Sequence, residues 1–317
     1  MARFLLRRAL QSLLTLMVAS VAVFALMRLI PGDPAVILSG GDASDEGIAA
    51  TRTKFGLDQP LPVQYWLWVA GIIRGDLGTS FSAQAPVSSL IEPTIPATLW
   101  LVSGGVLLAV VVALLLGAGA AVSPRRGVDA FLTGLASLLY GAPVFWLALI
   151  FILFFGVQLK WLPVGGFVNP ADDPALGLSS LILPWLVLGL AMGASLSKFV
   201  RAAFLETLES DHVRLARAKG GSTLQVISKH VFRNAMVPVV TVFGVSFATL
   251  LGGAVVLEAV FTWPGLGSLM INSVNNRDYP TVQAVLLIYV GTFVMTNFLT
   301  DVSYSLIDPR IRLSGGA

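Results

Sequence analysis

Residues 197–238 read SKFVRAAFLETLESDHVRLARAKGGSTLQVISKHVFRNAMVP, a polar segment between two long apolar runs. This polar segment contains seven of the 20 Lys and Arg residues of the chain and both of its histidines, His212 and His230. By composition alone it resembles an ordinary basic loop, so its meaning depends on its local pattern and on the sequence around it.

The local pattern of the polar segment predicts two helices with a hinge between them. Asp211 to Lys219 contains good helix formers and no breaker, and Gly220-Gly221 then suits a helix C-terminus. Ser222 and Gln225 have the spacing of a capping box. We predict that this second helix ends near Met236, because Pro238 lacks a backbone donor.

The composition of the whole chain is that of a membrane protein. Hydrophobic residues make up 56% of the 317 residues and charged residues only 12%, and the mean hydropathy is +0.84. The alternating pattern of a membrane β-barrel is absent, so helices are the predicted spanning elements. Six runs approach or exceed the roughly 20 residues that a span needs: Leu10–Ile30, Thr98–Val122, Phe131–Val157, Leu178–Leu196, Val237–Val260 and Val282–Ile307.

The basic residues are distributed asymmetrically between the two sides of these spans. With both termini on one side, fourteen of the 20 Lys and Arg residues lie there, including those of the polar segment. Basic loops stay in the cytoplasm, so we predict that both termini and the polar segment are cytoplasmic. The high content of basic residues thus reports topology, and we predict no nucleic-acid binding.

Several kinds of chemistry lack the residues that they need. Cysteine is absent, which excludes disulfides, thiolate metal sites and a cysteine nucleophile. No phosphate-binding P-loop and no HExxH zinc motif occurs, so we expect neither nucleotide hydrolysis nor a metal or cofactor site in this chain. The ionisable residues within the spans, Arg28, Glu258 and Asp301, lie near span ends, so no energy source of its own is evident.

Two alternative functions come from other classes. One is a stand-alone secondary carrier or channel, which would move solute without a partner. The other is an intramembrane hydrolase, because Gly193-Ala194-Ser195 resembles the nucleophile motif of a rhomboid-type protease. A serine nucleophile needs a base within reach, however, and the histidines lie only in the polar segment.

The polar segment resembles the cytoplasmic coupling loop of permeases of ATP-binding-cassette (ABC) importers, in particular the dipeptide/oligopeptide/nickel subfamily. Arg214 and His212 depart from the commoner Glu and aromatic residue of that loop. Further landmarks of the subfamily fall in order along nearly the whole chain: Leu29–Pro34, Gly56–Pro60, Arg74–Gly78, Leu162–Gly166, Phe261–Gly267, Arg277–Pro280 and Asp308–Arg310. The long first external segment resembles the B-type permease.

The resemblance implies an all-α polytopic membrane protein with six transmembrane helices and the type I importer permease fold. The implied divisions are an N-terminal helix (1–30), an external docking segment (31–96), a five-helix core (97–307) that includes the coupling loop (197–238), and a cytoplasmic tail (308–317). The chain would form half of the pathway for peptides or a related small solute in a bacterial inner membrane. Its implied partners are a C-type permease, two ATPase subunits that hold ATP and Mg, and an extracytoplasmic solute-binding protein.

The resemblance also assigns roles to individual residues. The ATPase subunits are expected to grip the coupling loop at Asp211, Arg214, Ala216, Arg217, Lys219, Gly220, Ser222 and Pro238. The solute-binding protein is expected to dock on the external loops, at Asp33, Asp58, Asp76, Trp263, Gly265 and Asp278.

Overall fold

The computed structural model describes residues 2–29, 34–39, 44–54 and 56–307. Over these residues the chain is helical, without a β-strand; Thr79 and Pro86 form an isolated β-bridge. The α-helices are α1 (Ala2–Leu29), α2 (Pro34–Ser39), α3 (Asp45–Lys54), α4 (Leu61–Ile73), α5 (Val87–Ile91), α6 (Ile95–Ala113), α7 (Gly119–Val122), α8 (Arg126–Gly141), α9 (Val144–Phe151), α10 (Pro174–Leu208), α11 (Asp211–Ala218), α12 (Thr223–Gln225), α13 (Phe232–Val260), α14 (Leu266–Asn275) and α15 (Tyr279–Ile307). A 3₁₀ turn (Glu92–Thr94) and three π-helical turns (Leu114–Ala118, Ile152–Gln158 and Val226–Val231) connect some of them.

Within the described residues, five helical stretches are long and apolar enough to cross a membrane. They are Leu5–Arg28, Val87–Val122, Pro174–Leu208, Val242–Val260 and Tyr279–Ser303. A sixth span requires that Arg126–Gly141 and Val144–Gln158 be taken together, although a bend of 101° separates them. The sequence predicts a kink here, and the break falls at the predicted Ala142-Pro143, where Ala142 is extended. The third span is thus a broken pair and not one helix.

Helix α10 lies at the centre of the core, between α6, α8, α9 and α13. Helix α10 is rich in small residues, which predicts that another helix approaches it closely, and two of them, Gly189 and Gly193, face α6. A Cβ atom at Gly189 would lie 2.7 Å from Leu108 Cβ, and one at Gly193 would lie 2.6 Å from Val112 Cβ. These two glycines therefore allow α6 and α10 to approach closely.

The second helix of the polar segment does not end before Pro238. It passes through the π-helical turn Val226–Val231 into α13, which continues without a break to Val260. The predicted end at Met236 is wrong, because a backbone that enters the membrane must keep its hydrogen bonds within a helix, and one missing donor does not outweigh that requirement. The first part of the polar segment is likewise helical, since α10 extends to Leu208.

The external segment is a folded structure that rests on α1 and α15. Helix α4 contacts α1 through Tyr65, whose hydroxyl lies 2.8 Å from Ser20 Oγ. The rings of Tyr65 and Trp68 pack on Phe24, with centroids 5.5 and 5.7 Å from it. The opposite face of α4 is apolar and exposed, with Trp66 69% accessible, which fits the predicted position at the membrane interface.

Candidate functional site

The polar segment forms a helical hairpin that projects from the ends of α10 and α13. Its first arm is α11 and its second begins at α12, with Gly220 between them at a φ of +81°. Ser222 Oγ accepts from Gln225 N, and the Gln225 side chain accepts from Ser222 N, which completes the predicted capping box. The hinge, the end of the first helix and the start of the second are therefore confirmed as the sequence predicts them.

A small apolar face anchors the hairpin, which we call the coupling hairpin (residues 211–225). Val213 is fully buried, and Val226 and Val231 beneath it are at most 1% exposed. These valines belong to the same core cluster as Phe204 near the end of α10. The hairpin therefore packs directly on α10 and on the π-helical turn that leads into α13.

The outer surface of the coupling hairpin is basic. Arg214, Arg217 and Lys219 are exposed. Asp211 lies 3.8 Å from Arg214, but both side chains are exposed, so this ion pair contributes little stability. The surface is thus free to bind a partner that carries negative charge.

A groove of about 560 Å³ runs between the coupling hairpin and the π-helical turn that follows it. Ala216 lies on its wall, at the position where the sequence predicts little bulk. His212 Nε2 is 3.0 Å from Asn234 Nδ2. The groove is lined by His212, Leu215, Ala216, Lys219, Gly221, Gln225, Val226, Ser228, Lys229 and His230. It offers a second contact surface next to the basic one.

Seven of the eight residues predicted for ATPase contact lie in this one hairpin: Asp211, Arg214, Ala216, Arg217, Lys219, Gly220 and Ser222. Pro238 does not, because it lies inside α13, beyond the π-helical turn. A contact at Pro238 is therefore separated from the rest of the predicted interface.

An ion pair that the sequence does not predict joins α10, on which the hairpin packs, to α8. The Arg201 guanidinium donates from Nε and Nη2 to the two carboxylate oxygens of Asp129, at 2.9 and 2.8 Å. Arg201 lies near the end of α10 and Asp129 in the first turn of α8. This bidentate geometry fixes the relative position of the two helices more firmly than a single contact would.

On the opposite side of the membrane, a buried carboxylate holds the loop after α13. Glu258 accepts from Thr98 Oγ1 at 2.7 Å and from Ser268 N at 3.0 Å, and Thr98 Oγ1 accepts from Leu266 N at 2.8 Å. The Trp263 indole donates to Ala97 O at 2.9 Å. These bonds fasten the loop between α13 and α14 to α6.

A second buried carboxylate holds the external segment against the start of α15. Asp278 is fully buried and accepts from Ser80 Oγ at 2.5 Å, from Phe81 N at 2.9 Å and from Thr281 Oγ1 at 2.9 Å. Ser82 Oγ donates to the same carboxylate at 3.0 Å. The negative charge is thus stabilised by hydroxyl and backbone donors.

The prediction of external docking residues requires correction. Trp263, Gly265 and Asp278 are buried, so none of them offers a surface to a docked protein; the side chains of Trp263 and Asp278 instead hold the loops together. Asp58 and Asp76 are exposed and remain available for docking. Asp33, and the landmark at Asp308–Arg310, lie outside the described residues.

Comparison with protein families gives two matches that together cover most of the chain. Residues 93–313 match the family described as "Binding-protein-dependent transport system inner membrane component". Residues 1–102 match the N-terminal membrane component of the same transport systems.

Characterised relatives align over almost their entire length. The "Glutathione transport system permease protein GsiC" of Salmonella typhimurium is 41% identical over 312 residues, which cover 98% of this chain and 99% of that protein. The GsiC of Escherichia coli K12 is 40% identical over the same coverage. The "Probable peptide ABC transporter permease protein y4tP" of Sinorhizobium fredii is 38% identical over 309 residues, 98% of this chain and 99% of that protein.

A solved structure shares the fold at low sequence identity. A chain of the inward-facing MetNI methionine ABC transporter superimposes with a TM-score of 0.54 and is 18% identical, over 67% of this chain and 93% of that chain. At this level of identity the likeness bears on the fold alone.

Proposed function

The chain belongs to the family of binding-protein-dependent transport system inner membrane components, and we propose that this ABC permease subunit imports short peptides, including glutathione-like ones. The permease names of its relatives support this substrate class. The chain is a multi-pass inner-membrane protein that forms part of a transmembrane pathway.

The coupling hairpin is the observation that carries the proposal. It exposes Arg214, Arg217 and Lys219, while its Val213 is anchored in the same core cluster as residues of α10 and α13. In our proposal two ATPase subunits bind this basic surface and hold the ATP and Mg, since the chain itself has no P-loop. The hairpin is accordingly cytoplasmic, as are both termini.

The remaining partners bind parts of the chain other than the coupling hairpin. A second, C-type permease completes the pathway within the bilayer. A solute-binding protein docks outside, on the segment 31–96, where Asp58 and Asp76 are exposed. The five-helix core, 97–307, carries the moving elements, and the tail 308–317 stays in the cytoplasm.

Coupling follows from the way the hairpin is attached. Closure of the ATPase subunits on ATP would push the hairpin, and Val213 would pass the movement to α10 and α13. The bidentate Arg201–Asp129 pair would carry α8 along with α10. The core would thus shift between inward- and outward-facing states as ATP binds and is hydrolysed.

The proposal predicts ATP-dependent uptake by the purified complex. The chain, its co-purified subunits and the solute-binding protein would be placed in liposomes, and uptake of labelled glutathione and of a labelled dipeptide would be measured with ATP or without it. We expect uptake of at least one of these solutes only when ATP is present on the cytoplasmic side. Transport by this chain alone, without ATP or partners, would instead identify a secondary carrier or channel.

A further inference from the structure

Arg28, at the external end of α1, lies in a cleft between α1, α4 and the start of α15. Its guanidinium donates from Nη2 to Gln64 Oε1, and its Cζ lies 5.2 Å from the centroid of the Phe24 ring. Among the described residues, no carboxylate lies within ion-pair distance of Arg28. The cleft therefore contains a cation whose charge no described side chain neutralises.

The neutral partner of Arg28 is itself held in place. Gln64 is only 9% exposed, and its Nε2 donates to Gln59 O at 2.6 Å and to Leu57 O at 3.2 Å. The amide oxygen must then face Arg28. Gln64 thus orients the guanidinium without consuming most of its five N–H donors.

The cleft consists of two adjoining cavities between α1, α4 and the start of α15. Their volumes are about 230 and about 50 Å³, and both are lined by Arg28, Leu57, Phe81, Pro280 and Gln283. Each exceeds the roughly 10–15 Å³ that one water molecule requires. The cleft therefore has room for a polar group next to the guanidinium.

A buried hydroxyl provides an independent sign that a ligand is bound there. Tyr279 is 6% exposed and lines the smaller cavity, and its hydroxyl has no hydrogen-bond partner among the residues that the structure describes. An unpaired buried hydroxyl is costly, so such groups normally have a partner. Water would satisfy the hydroxyl of Tyr279, but it would leave the charge of Arg28 uncompensated, whereas an oxyanion would satisfy both.

The surroundings of the cleft favour an oxyanion that carries hydrocarbon chains. Helix α1 is the least buried of the five long apolar helices. Exposed apolar side chains of α4, including Trp66 and Leu67, lie beside the cleft, and Leu67 lines it. Trp and Leu side chains of this kind are typical of the boundary between acyl chains and headgroups. We propose that the cleft binds the phosphodiester of an outer-leaflet phospholipid, with Arg28 and the Tyr279 hydroxyl as donors.

Native mass spectrometry of the purified complex tests this site. Dioleoyl phosphatidylglycerol and dioleoylglycerol, which has the same acyl chains but no phosphate, would be titrated separately. We expect the complex to retain the phosphatidylglycerol roughly tenfold more strongly, as one charge-assisted hydrogen-bonded contact provides. Arg28→Gln should abolish most of this preference. Arg74→Gln, which removes an exposed arginine at the end of α4, should leave it unchanged.

Tyr279→Phe keeps the test valid if Arg28→Gln disturbs folding. It removes only a hydroxyl that has no protein partner, so the complex should assemble normally and lose roughly threefold in phosphatidylglycerol retention. Unchanged retention in both variants would overturn the proposal. Displacement of the phospholipid by excess dipeptide would also overturn it, because the cleft would then belong to the transported solute.

Discussion

Gly220→Val is expected to lower ATP-driven uptake by roughly tenfold or more, although the chain should still insert and fold. We expect this loss because of the backbone conformation at Gly220 and not because space for a side chain is lacking. Gly220 has a φ of +81°, and a Cβ atom there would meet nothing within 4 Å. A β-branched residue at positive φ is a strained outlier, at a cost of roughly 1–2 kcal/mol or more.

The strain at Gly220 would be relieved by movement of the hinge that it closes. Gly220 N donates to Arg217 O at 2.9 Å and Gly221 N donates to Ala216 O at 3.2 Å. Loss of these turns would rotate α11 relative to α12 and would displace the exposed basic side chains to which, in our proposal, the ATPase subunits bind.

Gly127→Val is the matched control for the hinge variant. Gly127 also lies in a predicted cytoplasmic connection and has nothing within 4 Å of a built Cβ, but it has helical backbone geometry in α8. The measurement is uptake per assembled complex, with assembly judged by the amount of co-purified ATPase. Wild-type uptake in Gly220→Val, or an equal loss in both variants, would contradict a specific role of the hinge.

Gly265→Ala is expected to destabilise the external scaffold by about 3 kcal/mol. The backbone of Gly265 is extended, a conformation that any residue adopts, but there is no space for a side chain. An added Cβ atom would lie 2.2 Å from Glu258 Oε1 and 2.3 Å from the carboxyl carbon of Glu258. Glu258 cannot move aside without breaking its bonds to Thr98 and Ser268. The melting temperature of the complex in detergent should fall by about 5 °C.

Two comparisons make this stability prediction specific. Gly252→Ala, in α13 with nothing within 4 Å of an added Cβ atom, should leave the melting temperature within about 1 °C of the wild type.

Glu258→Ala should also destabilise the complex, since it leaves Thr98 and Ser268 without their acceptor. The double variant should lose clearly less than the sum of the two, because both changes remove the same network. Strict additivity would show that Gly265 and Glu258 act independently.

The part of the fold that depends on local signals could be predicted from the sequence. Hydropathy located the spans, and the glycine pair with its capping box located the hinge at Gly220. The small residues of α10 indicated that another helix packs closely on it, without indicating which one. Each of these features is set by residues only a few positions apart in the chain.

The buried carboxylates could not be assigned in the same way. From the sequence, Glu258 is interpreted as an acid near a span end and Asp278 as a docking residue. The groups that donate hydrogen bonds to them lie far away in the sequence: Thr98 is 160 residues from Glu258, and Ser80 is 198 residues from Asp278. The same holds for Arg201 and Asp129, which are 72 residues apart. A single sequence contains no signal that pairs such distant residues.

Pro238 shows the limit of a local rule. A proline normally ends or kinks a helix, and in a soluble loop it would mark a boundary. In α13 the surrounding apolar residues require a continuous helix, so the environment and not the proline decides where the helix ends.

The central claim, that the coupling hairpin binds an ATPase subunit, can be tested by cross-linking. Because the chain has no cysteine, Lys219→Cys creates a single thiol on the exposed hairpin, and Arg74→Cys creates one on the external segment. The complex would be purified from its native membrane, treated with a cross-linker that joins thiols to amines, and its adducts identified by mass spectrometry. We predict that Lys219→Cys is cross-linked to an ATPase subunit and that Arg74→Cys is not. Co-purified ATPase that forms no adduct with Lys219→Cys, or that reacts with Arg74→Cys instead, would contradict the account.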